Sequence, residues 1–114
     1  MGKLIHFEIT GTDSAALAEF YSQLFDFEAH PSPFLPGYHL LQSQIGIPGA
    51  VMDRSYKDQP VILWFEVDDL DAKVQAIVAA GGAIAGEKNT IPGEGRVQYV
   101  SDPQGNIAGL KEPL

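Results

Sequence analysis

The feature that most restricts what this chain can fold into is an internal repeat. HFEITGTDSAALAEFYSQLFDFE, starting at His6, and WFEVDDLDAKVQAIVAAGGAI, starting at Trp64, present the same parts in the same order. Phe7, Glu8, Ile9 and Asp13 fall on Phe65, Glu66, Val67 and Asp71 at an offset of 58 (64 − 6), about half of the 114 residues. Chance supplies Phe-Glu twice with ease. It less readily supplies a strand, an acidic cap and an amphipathic helix in that order each time.

Each half opens with a strand. Leu4, His6 and Glu8 share one face, and Ile5, Phe7 and Ile9 share the other. Thr12 or Asp13 can cap the helix that follows, because either side chain accepts from an unpaired backbone N–H. Leu17, Phe20, Tyr21, Leu24 and Phe25 recur at helical spacing, as do Leu70, Val74, Ile77 and Val78 in the second half. Gly81 and Gly82 end the second helix. Extended pieces are expected at 27–30, 38–43 and 49–53, and again at 83–87, 97–101 and 107–111. Pro31, Pro33, Pro36 and Pro48 punctuate the first set, and Pro92, Gly93 and Gly95 the second. Asp102-Pro103-Gln104-Gly105-Asn106 reads as a tight turn. The expected fold class is α+β, a duplicated βαβββ module forming a cupped mixed sheet with helices on its outer face. Module one covers about 1–53, a polar linker 54–60, and module two about 61–114, within a single domain.

Composition removes several function classes. Formal net charge is −8, with no run of Lys and Arg. This argues against nucleic acid and against an anionic membrane surface. The absence of cysteine excludes disulfides, thiolate metal sites and cysteine nucleophiles. No apolar run approaches the roughly 20 residues that span a bilayer, and the N-terminus alternates like a strand rather than a leader. The expected location is the cytoplasm.

FEITGTD…FYSQLFDFE early and VDDLDA…AAGGAI…SDPQGN late, in that order and spacing, resemble the glyoxalase/bleomycin-resistance/extradiol-dioxygenase family, the vicinal oxygen chelate superfamily. The resemblance covers nearly the whole chain, and the strand–DPxGN–strand block is its most specific part. It implies two modules around a cavity, and commonly a homodimer. It also implies, in metal-dependent members, a His or Glu early on the first strand and another on the last strand of each module. Counting through the acidic caps places those positions at Leu4 and Ile62. Counting from the turn places one at Gly109, and the last falls near Gly49, within 45–52. None of these residues offers a side-chain donor to a divalent ion. The expectation is therefore no metal and no cofactor.

Period-two counting places His6, Glu8, Trp64 and Glu66 on the cavity face. Counting back from the turn adds Val97 and Tyr99, and the repeat offset adds His39 and Leu41. His6, Glu8, His39, Trp64, Glu66 and Tyr99 are the expected substrate-binding residues, a mixed apolar and polar wall suited to a small organic molecule. Glu8, Glu66 and His6 are the catalytic candidates, as general bases or proton carriers. Trp64 and Tyr99 can stack on a planar or cationic ligand. Each has a structural alternative, as a solvated carboxylate, a hydrogen-bonded sheet histidine or plain core. His30 is expected to be exposed and idle. Asp68, Asp69 and Asp71 are read as helix-capping rather than as a calcium site. The leading reading is a small-molecule-binding protein lacking the family metal site. Its alternatives are a metal-dependent lyase, isomerase or dioxygenase with ligands displaced to His6, Glu8, His39 and Glu66, a cofactor-free isomerase or lyase using Glu8 or Glu66, and a binding module without catalysis.

Overall fold

A computed structural model describes residues 2–44, 46–55 and 57–114. Ile45, in the donor-poor stretch, and Tyr56, in the expected linker, lie outside the described residues. The chain divides into two compact units, His6–Ile62 and Leu63–Leu114, the second joined by residues 2–5. Both are α+β.

The first unit contains most of β1 (Lys3–Gly11), then α1 (Ser14–Phe25), β2 (Glu28–Pro31), β3 (Tyr38–Gln42) and β4 (Gly49–Asp53). Its strands lie in the order β2-β3-β4-β1, antiparallel except for the parallel pairing of β1 with β4. Asp13 caps α1 by accepting from the Ala16 N–H at 3.0 Å. The helix meets the sheet through Ser14 and Ala18, one turn apart and both buried. Ala18, Leu41 and Val51 form the core, with Phe7, Ile9, Leu17, Tyr21 and Phe27 against it.

Small residues at that contact bring the helix close to the strands. They also set its rotation, at about 100° per residue. Phe20, two positions beyond Ala18, therefore points away and is 51% exposed, and Leu24 is 63% exposed. Phe25, in the last turn, stacks on Tyr21 at 5.7 Å and is likewise exposed. The apolar side that helical spacing marks on α1 is thus only half buried. Its Leu17–Tyr21 edge packs, and its Phe20–Leu24 edge does not.

The second unit contains β5 (Val61–Glu66) from Leu63 onward, α2 (Leu70–Ala79), β6 (Ala83–Ile84), β7 (Asn89–Ile91), β8 (Gly95–Ser101) and β9 (Ile107–Pro113). Its strand order is β5-β9-β8-β6, with the short β7, not anticipated from the sequence, also on β8. β5 and β9 are parallel, and β8 and β9 antiparallel. Asp69 caps α2 through the Ala72 N–H at 3.1 Å. Val67, Leu70, Val74, Val100 and Leu110 form the core, with Phe65, Ile77 and Ala108 against it. In the turn, one Asp102 carboxylate oxygen accepts from the Gln104 and Asn106 N–H groups at 2.8 and 2.9 Å, while Gly105 takes a positive φ of 86°. These bonds, the Asn106 side chain's first, hold the Asp102 carboxyl below its ordinary range.

The repeat is present, but its offset is not 58. The caps Asp13 and Asp69 are 56 apart (69 − 13), and so are the buried helix pairs Ser14/Ala18 and Leu70/Val74. The strand registers agree. Glu8 lies beside Ala50, and Trp64 beside Gly109, each in a parallel pair. Leu40 lies opposite Ala50, and Tyr99 opposite Gly109, each in an antiparallel pair. The first strands and helices thus match at 56, and the last two strands of each module at 59 (109 − 50). Three additional residues in the second module separate the two values.

Candidate functional site

The change of offset decides which side chains face which way. An even error leaves a strand's faces alone; an odd one exchanges them. Moving from 58 to 59 turns β3 over. Leu41 belongs to the core under α1. His39 shares its parity and lies opposite Val51, another core residue. The expectation that His39 and Leu41 face inward is therefore corrected. Tyr38 and Leu40 share the face of His6, Glu8 and Thr10, opposite Met52 and Ala50.

Tyr38 is the residue the sequence reading missed, and it organises the polar face of the first unit. Its hydroxyl donates to Glu8 Oε2 at 2.6 Å. His6 Nε2 lies 3.1 Å from the same hydroxyl. A phenol has one proton. With that proton on the Glu8 bond, its oxygen is the acceptor and His6 carries hydrogen on Nε2. The chain then runs His6 Nε2–H to Tyr38, and Tyr38 O–H to Glu8. Glu8 is 2% exposed, so this donor offsets part of the cost of taking a carboxylate out of water.

Thr10 continues the face and ties down the segment after β4. Its hydroxyl donates to the Gln59 carbonyl at 2.7 Å and accepts from Arg54 Nε at 2.9 Å. Arg54 also donates to the Thr10 carbonyl at 2.9 Å. A pocket of about 470 Å³ adjoins this region, lined by Leu35, Pro36, Tyr38, Asp53 and Ser55. Tyr38 is common to the pocket and the hydrogen-bonded chain.

The corresponding face of the second unit has a different chemistry. Trp64 stands where Glu8 stands, Val97 where Tyr38 stands, and Tyr99 where Leu40 stands. The Trp64 and Tyr99 rings meet edge to face with centroids 5.0 Å apart. The indole covers Gly109 so closely that a Cβ there would lie 2.1 Å from its Cδ2. Gly49 is covered in the same way by Phe7, but on the helix side. Glu66 lies half-buried beside Lys111 in the strand register.

Two further acidic residues of the second unit, Glu112 and Asp71, are held in ion pairs. Glu112 receives both Arg96 Nη2 and the Leu70 N–H at 2.9 Å, with Arg96 Nε on its other oxygen at 3.0 Å. Asp71 pairs with Lys88 and Arg96. Arg96 holds the Glu112 carboxyl below its ordinary value, and Lys88, ahead of Arg96, does the same for Asp71. Arg96 is raised in turn, chiefly by Glu112. His30 is exposed, with Nε2 3.9 Å from a Glu28 oxygen.

The 56 and 59 offsets also relocate the family's metal positions. Gly109 remains, and Ile62 remains on its face of β5. The partner of Ile62 is His6 rather than Leu4, and the partner of Gly109 is Ala50 rather than Gly49. One of the four positions therefore holds a donor. Ala50, Ile62 and Gly109 have none, and the Gly109 position is filled by the Trp64 ring. No group of three His, Asp or Glu suited to a metal occurs among the described residues. Three of the four positions thus offer no side-chain donor to a divalent ion.

These observations define a duplicated α+β protein whose two modules share topology and differ in side-chain chemistry. The chain belongs to the Glyoxalase/Bleomycin resistance protein/Dioxygenase superfamily, whose family model matches residues 3–109. CFP32 of Mycobacterium bovis and Mycobacterium tuberculosis, whose name carries a provisional glyoxylase assignment, is 43% identical over 51 residues, 45% of this chain. That stretch spans only 20% of the relative's length. Methylmalonyl-CoA epimerase from Mycobacterium tuberculosis superposes with a TM-score of 0.73 at 20% identity, covering 97% of this chain and 87% of the epimerase. A glyoxalase/bleomycin resistance protein/dioxygenase superfamily member from Vibrio splendidus 12B01 gives 0.71 at 15% identity, with 100% of both chains covered. At these identities the solved structures establish the fold alone. No helix among the described residues is long and apolar enough to cross a membrane.

Proposed function

We propose that this protein binds a small organic molecule beside Tyr38 in its first unit, without the family's metal ion. The observation that carries this reading is the sharing of Tyr38 between a pocket and the chain to buried Glu8. The pocket volume, about 470 Å³, falls within the roughly 300–1,000 Å³ of small-molecule sites. Tyr38→Phe removes one hydroxyl and keeps the wall. In a thermal-shift screen of small organic compounds, hits on the wild type should weaken or vanish in Tyr38→Phe. Equal responses in both proteins, or no hit at all, contradict the site. Elemental analysis of protein purified without chelator should find no stoichiometric Ni, Zn, Mn or Fe; one equivalent contradicts the metal-free part.

A second reading is proton transfer without a cofactor. It is favoured by the same chain, which gives Glu8 a hydrogen-bonded connection through Tyr38 to His6. Turnover of screening hits that is lost in Glu8→Gln separates it from binding alone. For quaternary structure, a homodimer is proposed on the exposed apolar edge of α1, Phe20, Leu24 and Phe25. Light scattering should give about twice the 12.3 kDa chain mass, falling toward one chain mass in Phe20→Glu. A wild-type monomer at micromolar concentration contradicts it.

A further inference from the structure

We infer that the pocket beside Tyr38 takes a small organic cation, an alkyl or aryl amine, with Asp53 as its counter-ion. The inference rests on the small-molecule reading of this pocket and adds the charge of the ligand. Asp53 ends β4 and lines the pocket with Leu35, Pro36, Tyr38 and Ser55. Its carboxylate stands against Gly37, which has a φ of +69°, and a Cβ on Gly37 would lie 2.7 Å from Asp53 Oδ2. Glycine thus provides both the left-handed turn and the space for the carboxylate.

The carboxylate has no hydrogen-bond or ion-pair partner among the described residues. The adjacent cation, Arg54, is committed elsewhere, with Nε and Nη2 on the Thr10 hydroxyl and carbonyl. Behind the same wall, the Tyr38 hydroxyl donates to the Glu8 carboxyl group. A phenol that donates to a carboxylate carries more negative charge on its oxygen and ring, which favours a cation at its surface. Leu35 and Pro36 supply apolar contact for the rest of the ligand. An anionic ligand would meet Asp53 unscreened. The net charge of −8 acts in the same direction at longer range.

The test compares three probes of one size, benzylamine, benzyl alcohol and benzoate, by calorimetry and by amide shifts in ¹⁵N-labelled protein near neutral pH. The structure predicts benzylamine bound at least about tenfold more tightly than either of the others, a margin worth about 1.4 kcal/mol. Asp53→Asn should erase the margin. Added salt should weaken benzylamine and leave benzyl alcohol unchanged, a readout that needs no variant. Benzyl alcohol binding as well as benzylamine, or a margin insensitive to both salt and Asp53→Asn, overturns the cation while leaving the pocket in place. If none of the three moves the amides of residues 35–38 and 53–55 at millimolar concentration, the cation and the pocket are both overturned.

Discussion

Tyr38 sits between an imidazole and a carboxylate that water hardly reaches, and its single proton orders both hydrogen bonds. Removing the hydroxyl leaves Glu8 buried with one donor fewer. Tyr38→Phe should therefore cost about 1–3 kcal/mol in urea unfolding, and a change below about 0.5 kcal/mol would mean that Glu8 is satisfied in another way. Gly109 poses the opposite problem, a residue that must stay small. Gly109→Ala drives a methyl into the Trp64 indole, with an expected cost of about 1–3 kcal/mol from overpacking. Trp64 is the only tryptophan, so its near-ultraviolet dichroism should change as well. An unaltered tryptophan signal would contradict the described contact. At this scale, His6 and Glu8 were legible from alternation along one strand, since period two needs no reference outside the segment. Tyr38 was not, because its face had to be inferred from the other half of the chain.

Elements were easier to read than their relation. Both helices, an acidic cap on each, the DPQGN turn and the extended segments follow from local chemistry and are present, although the segment expected at 83–87 is reduced to Ala83–Ile84. What failed was the carrying of one offset across the whole repeat. The sequence pairing of Asp13 with Asp71 followed the Phe-Glu match, whereas the cap of α2 is Asp69. Loop-length differences between modules leave no mark on strand periodicity, so only the registers reveal the change from 56 to 59. The stripe on α1 failed for a related reason: helical spacing identifies an apolar side but not the angle at which small residues seat it. In the second unit, Glu112 clamps β9 to the first turn of α2 and to Arg96 on β8. Its carboxyl is held below the ordinary 4.5, first by Arg96. A depressed carboxylate stabilises the fold above its unfolded value, and that stabilisation disappears as pH falls through the folded value. Glu112→Gln should thus be less stable than wild type at neutral pH, with the gap closing only in acid below 4.5. A gap that stays constant from neutral pH into strong acid would show that the charge is not its source.

At the scale of the whole molecule, the two modules have kept a topology and divided the chemistry. Matching positions hold Glu8 and Trp64, Tyr38 and Val97, His6 and Ile62. The first unit has the hydrogen-bonded polar chain, and the second has packed aromatics closing over a glycine. Family membership was legible because order and spacing survive such divergence. The ligand was not, because it depends on a few side chains that the repeat does not preserve. The most direct test of the account is an amide-resolved titration of ¹⁵N-labelled protein with small amines, acids and neutral aromatics. With a small-molecule site beside Tyr38, at least one compound should shift residues 35–38 and 53–55 together, and Tyr38→Phe should weaken that response. Shifts confined to other residues, or a first unit silent to every compound, would contradict it.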